Sequence, residues 1–235
     1  KEYTHLNPDM NNLVEFKNTV LNLINGETEI IKNYNHLTGK FDSTNKKRIK
    51  NFLIIEGLHS LYFNDLNQKF DLNVFLDLEE QIKKDTKLSR DLKRKKKKEK
   101  ILEEIKKRKK DFEEHILPQR SFSDIYIKTI LRDEVNVKFK LFFKNDYFFE
   151  FKSMVESVEG VRILNEKQEP GLVQFDLDIS NKNYVEFFNL LTENLNNLKN
   201  NKFKLTEIGH VDNSELLCKL ALILFMLNKK IESKL

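Results

Sequence analysis

Glu56 stands where an apolar run stops. Phe52-Leu53-Ile54-Ile55 is followed at once by Glu56, Gly57, Leu58 and His59. A continuous apolar run of strand length reads as a strand buried on both faces, as in a parallel sheet. The spacing therefore predicts a strand over 52–55 with Glu56 at its carboxyl end, where open α/β sheets hold their ligands. Gly57 lets the backbone turn sharply there, or lets a ligand come close. Other side chains able to bind a ligand lie on either side of this corner. Tyr34 and His36 sit in a polar stretch upstream, while Lys87 and Arg90 lie downstream, three apart on a predicted helix and so on one side of it. Each has a plain reading too. A strand-end acid serves equally as a cap or a solvated charge, His36 and His59 as hydrogen-bonded loop histidines, and Tyr34 as packing.

The elements that must position these groups follow from pattern. Asn7-Pro8-Asp9 is a helix start signal. Leu13, Phe16, Val20, Leu21 and Ile24 share a helical face, and Asn25-Gly26 ends that helix. Residues 33–41 read as a polar loop and 42–50 as a polar, basic connection. A helix or helical turn is expected over 60–69, a strand over 71–77, helices over 78–94 and 101–115, and a strand over 124–127. Strands alternating with helices argue for an α/β fold with a mainly parallel sheet. The texture changes near Arg132. Val137 to Phe143 alternates as a half-buried strand, a helix follows over 146–157, and strands follow over 161–164 and 171–179. Tyr184, Phe187, Phe188, Leu191, Leu195 and Leu198 match helical spacing, and a last helix is expected over 214–227. The order suggests a small α+β module, ferredoxin-like in outline. Two domains are expected, 1–131 and 132–235.

Composition narrows the function classes. The 235 residues are 39% hydrophobic and 34% charged. No apolar run approaches the length that spans a bilayer, and the start carries no cleavable signal pattern. The lone cysteine, Cys218, excludes an internal disulfide and fits a reducing, cytoplasmic setting; Leu216, Leu217 and Leu220 around it suggest a buried position. The net charge is +5, yet 83–110 alone holds 16 Lys and Arg against 5 Asp and Glu, so the rest of the chain is acidic. That basic run reads first as a solvated helix face, with Glu99, Glu103 and Glu104 pairing to lysines one turn away. A phosphate-facing surface is compatible with it. Nucleic-acid binding ranks last, because the run lacks the interleaved aromatics that stack on single strands.

Taken together, several stretches resemble the phosphoribulokinase/uridine kinase family of P-loop kinases, in family order over Pro8 to Ile127. Tyr34-Asn35-His36 with Gly39 is similar to the acceptor-side loop. Ile54 to Tyr62 is similar to the family's Glu-Gly-Leu-His strand end, and Phe70 to Asp77 to the next strand. Thr86 to Asp91 resembles the Lys-x-x-Arg-Asp that opens the lid, here about 83–112. Ile116-Leu117-Pro118-Gln119 and Ser123 to Ile127 resemble the closing segment before the last core strand. The Tyr-Asn-His loop and the Pro-Gln lean toward the phosphoribulokinase branch.

The resemblance implies transfer of the ATP γ-phosphoryl group to a hydroxyl of a sugar or sugar phosphate, with Mg²⁺. It places Glu56 beside Mg²⁺ as a catalytic and metal-side acid. It makes Lys87 and Arg90 catalytic lid cations, and Tyr34, His36, His59 and Arg94 substrate-binding residues. The alternatives are a uridine- or cytidine-type nucleoside kinase and a non-catalytic interaction module. The expected partner is a small-molecule acceptor, with neither membrane nor nucleic acid, and a homo-oligomer is compatible. Two departures stand out. No G-x-x-x-x-G-K-[ST] occurs in the chain, which begins at Lys1 rather than Met, so a fragment without its phosphate loop is expected, inactive on its own. The lid stretch Arg94-Lys95 also lacks the family's glycine.

Overall fold

The computed structural model describes residues 3–35, 38, 40–49, 53–132, 136–143, 148–169 and 172–180. The helices expected over 184–198 and 214–227, Cys218 and His36 lie outside the described residues. The chain forms two compact units: Lys1–Lys69 with Lys107–Gln119, and Phe70–Lys106 with Arg120–Leu235.

In the first unit the start signal works as written. The Asn7 side chain accepts from the Asp9 N–H at 2.9 Å and opens a 3-10 turn, Pro8–Met10. The helix α1, Leu13–Ile24, begins at Asn12 and buries Val20 and Leu23. It ends at Asn25-Gly26, where Gly26 takes φ +84°, a left-handed value open to glycine. Strands β1, Glu29–Asn35, and β2, Lys40–Lys47, form an antiparallel hairpin from Glu29↔Lys47 to Asn35↔Lys40. This corrects the loop and connection expected over 33–50. The segment is rich in Asn, Lys and Asp, which strands disfavour, and backbone pairing overrides that preference. The short helix α2, Asn64–Asn67, follows the acid corner.

The strand expected over 52–55 is also corrected: residues 53–56 carry no strand pairing, and Ile54 is 88% exposed. A strand exists through its ladder partners, and among the described residues none pairs with this run.

The second unit is a five-stranded mixed sheet in the order β3-β4-β5-β7-β6. Strand β3, Val74–Leu78, pairs parallel with β4, Ile125–Arg132. A parallel pair needs a long crossover; helices α3, Glu80–Lys93, and α4, Lys98–Asp111, lie within it. Strand β4 turns back into β5, Asn136–Phe143, as an antiparallel neighbour. The helix α5, Phe148–Glu156, then leads to β6, Val161–Glu169, and β7, Leu172–Ser180, inserts antiparallel between β5 and β6. That is a split β-α-β arrangement.

Its core is on one face. Ile125 and Ile127, Phe139 to Phe143 in alternation, and Val173, Phe175, Leu177 and Ile179 point to one side, where α5 adds Phe151 and Val155. Phe143, Phe151 and Phe175 form an aromatic triangle with centroids 5.0–5.7 Å apart. The other face is a charge ladder. Lys138 lies opposite Asp178 and Lys140 opposite Asp176, at 4.0 and 3.5 Å, with Arg162 to Asp178 at 2.6 Å. The division expected between 131 and 132 falls inside the β4–β5 hairpin. The strands on its two sides share one sheet and one core, so the polypeptide does not separate there.

Candidate active site

The acid corner is a turn of the first unit. Ser60 N–H reaches Gly57 O at 3.4 Å and Tyr62 N–H reaches His59 O at 3.1 Å. Glu56 is exposed, and among the described residues its carboxylate has no hydrogen-bond or ion-pair partner. Gly57 takes φ +157°, a value side chains rarely adopt. Two buried amides hold the turn. Gln119 Nε2 donates to Leu58 O at 3.0 Å and to His115 O at 2.8 Å; Asn67 Nδ2 donates to Leu61 O at 2.8 Å.

His59 does not face outward. It is 6% exposed, its ring meets Tyr62 edge-on at 5.8 Å, and among the described residues neither ring nitrogen finds a hydrogen-bond partner. Burial lowers its pKa, and nearby His115 lowers it further, so the imidazole is neutral at pH 7. Tyr34 lies on β1 opposite Phe41.

The segment that carries Gln119 is fastened elsewhere in the same unit. Asp111 Oδ2 accepts from Thr4 N–H at 3.0 Å and Thr4 Oγ1 at 2.6 Å, and these bonds hold the carboxyl below its usual range. Asn7 Nδ2 meets His115 Nε2 at 3.3 Å. Asp111, Glu114 and His115 each bring a potential metal-ligand atom within 4.8 Å of the others. Asp111 Oδ2 is already engaged by its two Thr4 donors, so the trio serves the fold.

Helix α3 and the part of α4 up to Lys106 belong to the second unit. Lys87 is not free. Its Nζ lies 2.6 Å from Asp91 Oδ2 and 3.0 Å from Glu104 Oε2, and its side chain is 11% exposed. Arg90 Nε reaches Asp91 Oδ1 at 3.0 Å, and that side chain stays half exposed. Lys96 adds contacts to Glu104 at 3.3 Å and Asp91 at 3.8 Å. Buried Asp91 has its pKa lowered to about 2, first by the Lys87 bond and then by Arg90, against the opposing pull of desolvation. The same Lys87 bond lowers Glu104. Arg94, the residue that caps α3, is exposed. Lys95 follows with φ +60°, the left-handed region where the family's missing glycine would be at ease.

A third group lies at the carboxyl end of β3. Asp77 pairs with Lys83 at 2.8 Å and meets Tyr126 Oη at 3.4 Å. Burial and the Asp77 charge push the Tyr126 phenol up to about 12. Arg120 lies over its ring at 5.3 Å.

The sequence reading missed Gln119 and Asn67 as clamps and Asp91 as a buried counter-ion. The Arg-Asp pair was in view, but its burial was not. Glu104 pairs with Lys87 and Lys96 from the preceding helix and turn, rather than one turn along its own helix.

A sequence model described as the phosphoribulokinase/uridine kinase family matches residues 1–136. Phosphoribulokinase of Synechocystis sp. is 34% identical over 128 residues, which cover 54% of this chain and 39% of that protein. Chloroplastic phosphoribulokinase of Chlamydomonas reinhardtii is 33% identical over 131 residues, covering 55% and 35%. The chain thus spans well under half the length of the curated relatives it matches. A solved phosphoribulokinase from Rhodobacter spheroides has a similar fold, with a TM-score of 0.58 at 17% identity, covering 74% of this chain and 68% of that one. The structural likeness covers more of the chain than the family match does, so it extends past residue 136. No helix among the described residues is long and apolar enough to cross a membrane.

Proposed function

The chain belongs to the phosphoribulokinase/uridine kinase family, and from that premise we propose that the protein containing these residues transfers the ATP γ-phosphoryl group to a hydroxyl of a sugar phosphate. The observation that carries the reading is Glu56: an exposed carboxylate, without a partner among the described residues, on a turn whose carbonyls are held by two buried amides. Phosphoryl transfer depends on positioning and charge stabilisation rather than on a covalent intermediate. A hard cation takes oxygen ligands, often through water, and Glu56 is the acid that fits Mg²⁺ here. When bound, Mg²⁺ neutralises charge building between the β- and γ-phosphates.

The chain's own residues then divide the work. Glu56 orients the metal side. Arg90 and Arg94, both exposed, meet phosphate oxygens. Lys87 ties α3 to α4 through Glu104. Tyr34 and His36 hydrogen-bond the acceptor, and neutral His59 supports the turn from inside. A G-x-x-x-x-G-K-[ST] loop is absent from these 235 residues, so in this reading the ATP phosphates are cradled by polypeptide outside them and the 235 residues alone do not turn over. The cytoplasmic setting and a homo-oligomeric state belong to the same proposal.

The test is Glu56→Gln in the whole protein. Mg²⁺-dependent turnover falls by about a hundredfold or more; wild-type turnover would sink the role of Glu56. The relatives quoted above are phosphoribulokinases, which favours a sugar phosphate over a nucleoside. An acceptor screen that found nucleosides preferred would reverse that choice. Tight ATP binding by the isolated 235 residues, measured by calorimetry, would overturn the externally supplied phosphate loop.

A further inference from the structure

Glu56 is followed by the residue least able to hold it still. Glycine has the widest backbone freedom of any residue, and Gly57 lies between the acid and the rest of the turn. Something outside the turn has to fix it. The nearest fixed point is the Leu58 carbonyl, two residues from Glu56, and the group that fixes it is the Gln119 amide.

That amide is well placed to be rigid. Gln119 is 5% exposed. Its Nε2 has two N–H donors, matched by two acceptors: His115 O, four residues back, and Leu58 O, 61 residues away in sequence. The local bond fixes the side chain's own conformation, and the distant one transmits that position to the turn. The segment bearing it is tied down at four-residue intervals, Asp111 to Thr4, His115 to Asn7 and Gln119 to Leu58. Asn67 pins the far end of the turn at Leu61 O. Glu56 thus projects from the open end of a turn clamped at two carbonyls.

We infer that Gln119 is a positioning residue for Glu56: its buried amide sets the place of the acid through the Leu58 carbonyl. The inference rests on the reading of Glu56 as the Mg²⁺-side carboxylate. A group set by a remote amide is displaced when the amide goes, and small displacements at a reacting centre are costly.

The experiment uses the whole protein, with turnover titrated against Mg²⁺ and against ATP. Gln119→Met keeps length and burial and removes both donors. It is expected to lower kcat by about tenfold or more and to raise the Mg²⁺ concentration for half-maximal rate several-fold, with the ATP KM within about twofold. Gln119→Leu also removes both donors and shifts both quantities the same way, which covers poor folding of the first variant. Thr4→Val removes a hydroxyl bond to Asp111 on the same segment. It lowers the thermal midpoint and leaves the Mg²⁺ dependence in place. Wild-type kcat and Mg²⁺ dependence in either Gln119 variant overturn the inference, as does a Thr4→Val shift in Mg²⁺ dependence equal to that of Gln119→Met. Glu56→Gln in parallel separates the two levels. If it leaves turnover intact, the reading of Glu56 fails and the inference falls with it; if it abolishes turnover while Gln119→Met does not, only the inference fails.

Discussion

The acid corner and the basic helices both carry groups suited to a charged ligand, and they are held in opposite ways. At the corner the scaffold is neutral: amides of Gln119 and Asn67 bind backbone carbonyls, and the Glu56 carboxylate is left over. At α3 and α4 the scaffold is made of the charges themselves. Asp91 lies buried among Lys87, Arg90 and Lys96, and Glu104 closes the group. The difference separates a charge that is free to act from one already spent on the fold. By that criterion Lys87 belongs to the structure, while exposed Arg90 and Arg94 are the cations proposed to meet a ligand.

The largest expected effect tests the spent charges. Asp91→Ala leaves a mostly buried Lys87 with Glu104 as its remaining partner, and removing one member of such a group costs about 3 kcal/mol. Urea unfolding measures it, and a loss under about 1 kcal/mol would place Asp91 among ordinary surface pairs. Next, Lys87→Met should lower stability by about 1–3 kcal/mol. Arg90→Ala and Arg94→Ala should leave stability within about 0.5 kcal/mol and slow turnover by about tenfold. If Lys87→Met slows turnover without loss of stability, the assignment reverses. A pH scan gives a subtler view. The Asp91 carboxyl is depressed from 3.8 to about 2, so its contribution is present above pH 3.8 and is lost as pH falls toward 2. Asp91→Asn should flatten acid unfolding across that window. The smallest effect is Lys95→Gly. It removes a left-handed non-glycine residue and should raise stability by up to about 1 kcal/mol, offset in part by glycine's entropy; a clear loss would mean the Lys95 side chain contributes to the fold.

Periodicity made much of the second unit legible. The alternation of Val137 to Phe143 and of Leu172 to Ile179 marks strands with one buried face, and that face is the core. The Leu13–Ile24 face was readable for the same reason. The β1–β2 hairpin was not, because its signal lies in backbone pairing rather than in side-chain pattern. The run at 52–55 misled in the other direction: apolar residues alone do not supply a ladder. Within the candidate site, Glu56 stood out at the end of an apolar run and Arg90 by its spacing from Lys87, whereas Arg94 followed only from the family resemblance. Gln119 could not, since its partner is 61 residues away and an amide looks the same in sequence whether buried or solvated. The single sheet spanning residue 132 was hidden because the change in texture there is a change from parallel to antiparallel pairing.

That change in pairing bears on how the chain folds. Strands β4 and β5, and β6 and β7, are neighbours in sequence, and β5 meets β7 across α5 and β6, whereas β3 meets β4 only across the longer segment that holds α3 and α4. Closing a long loop before its contacts form is slow. The antiparallel strands should therefore assemble first and offer β4 as a template, with β3 docking late. Helices α3 and α4 bury only Asp91 and Ile101, so their amide hydrogens should exchange with solvent well before those of β5 and β7. The most basic stretch of the protein is thereby one that opens while the sheet beside it stays closed.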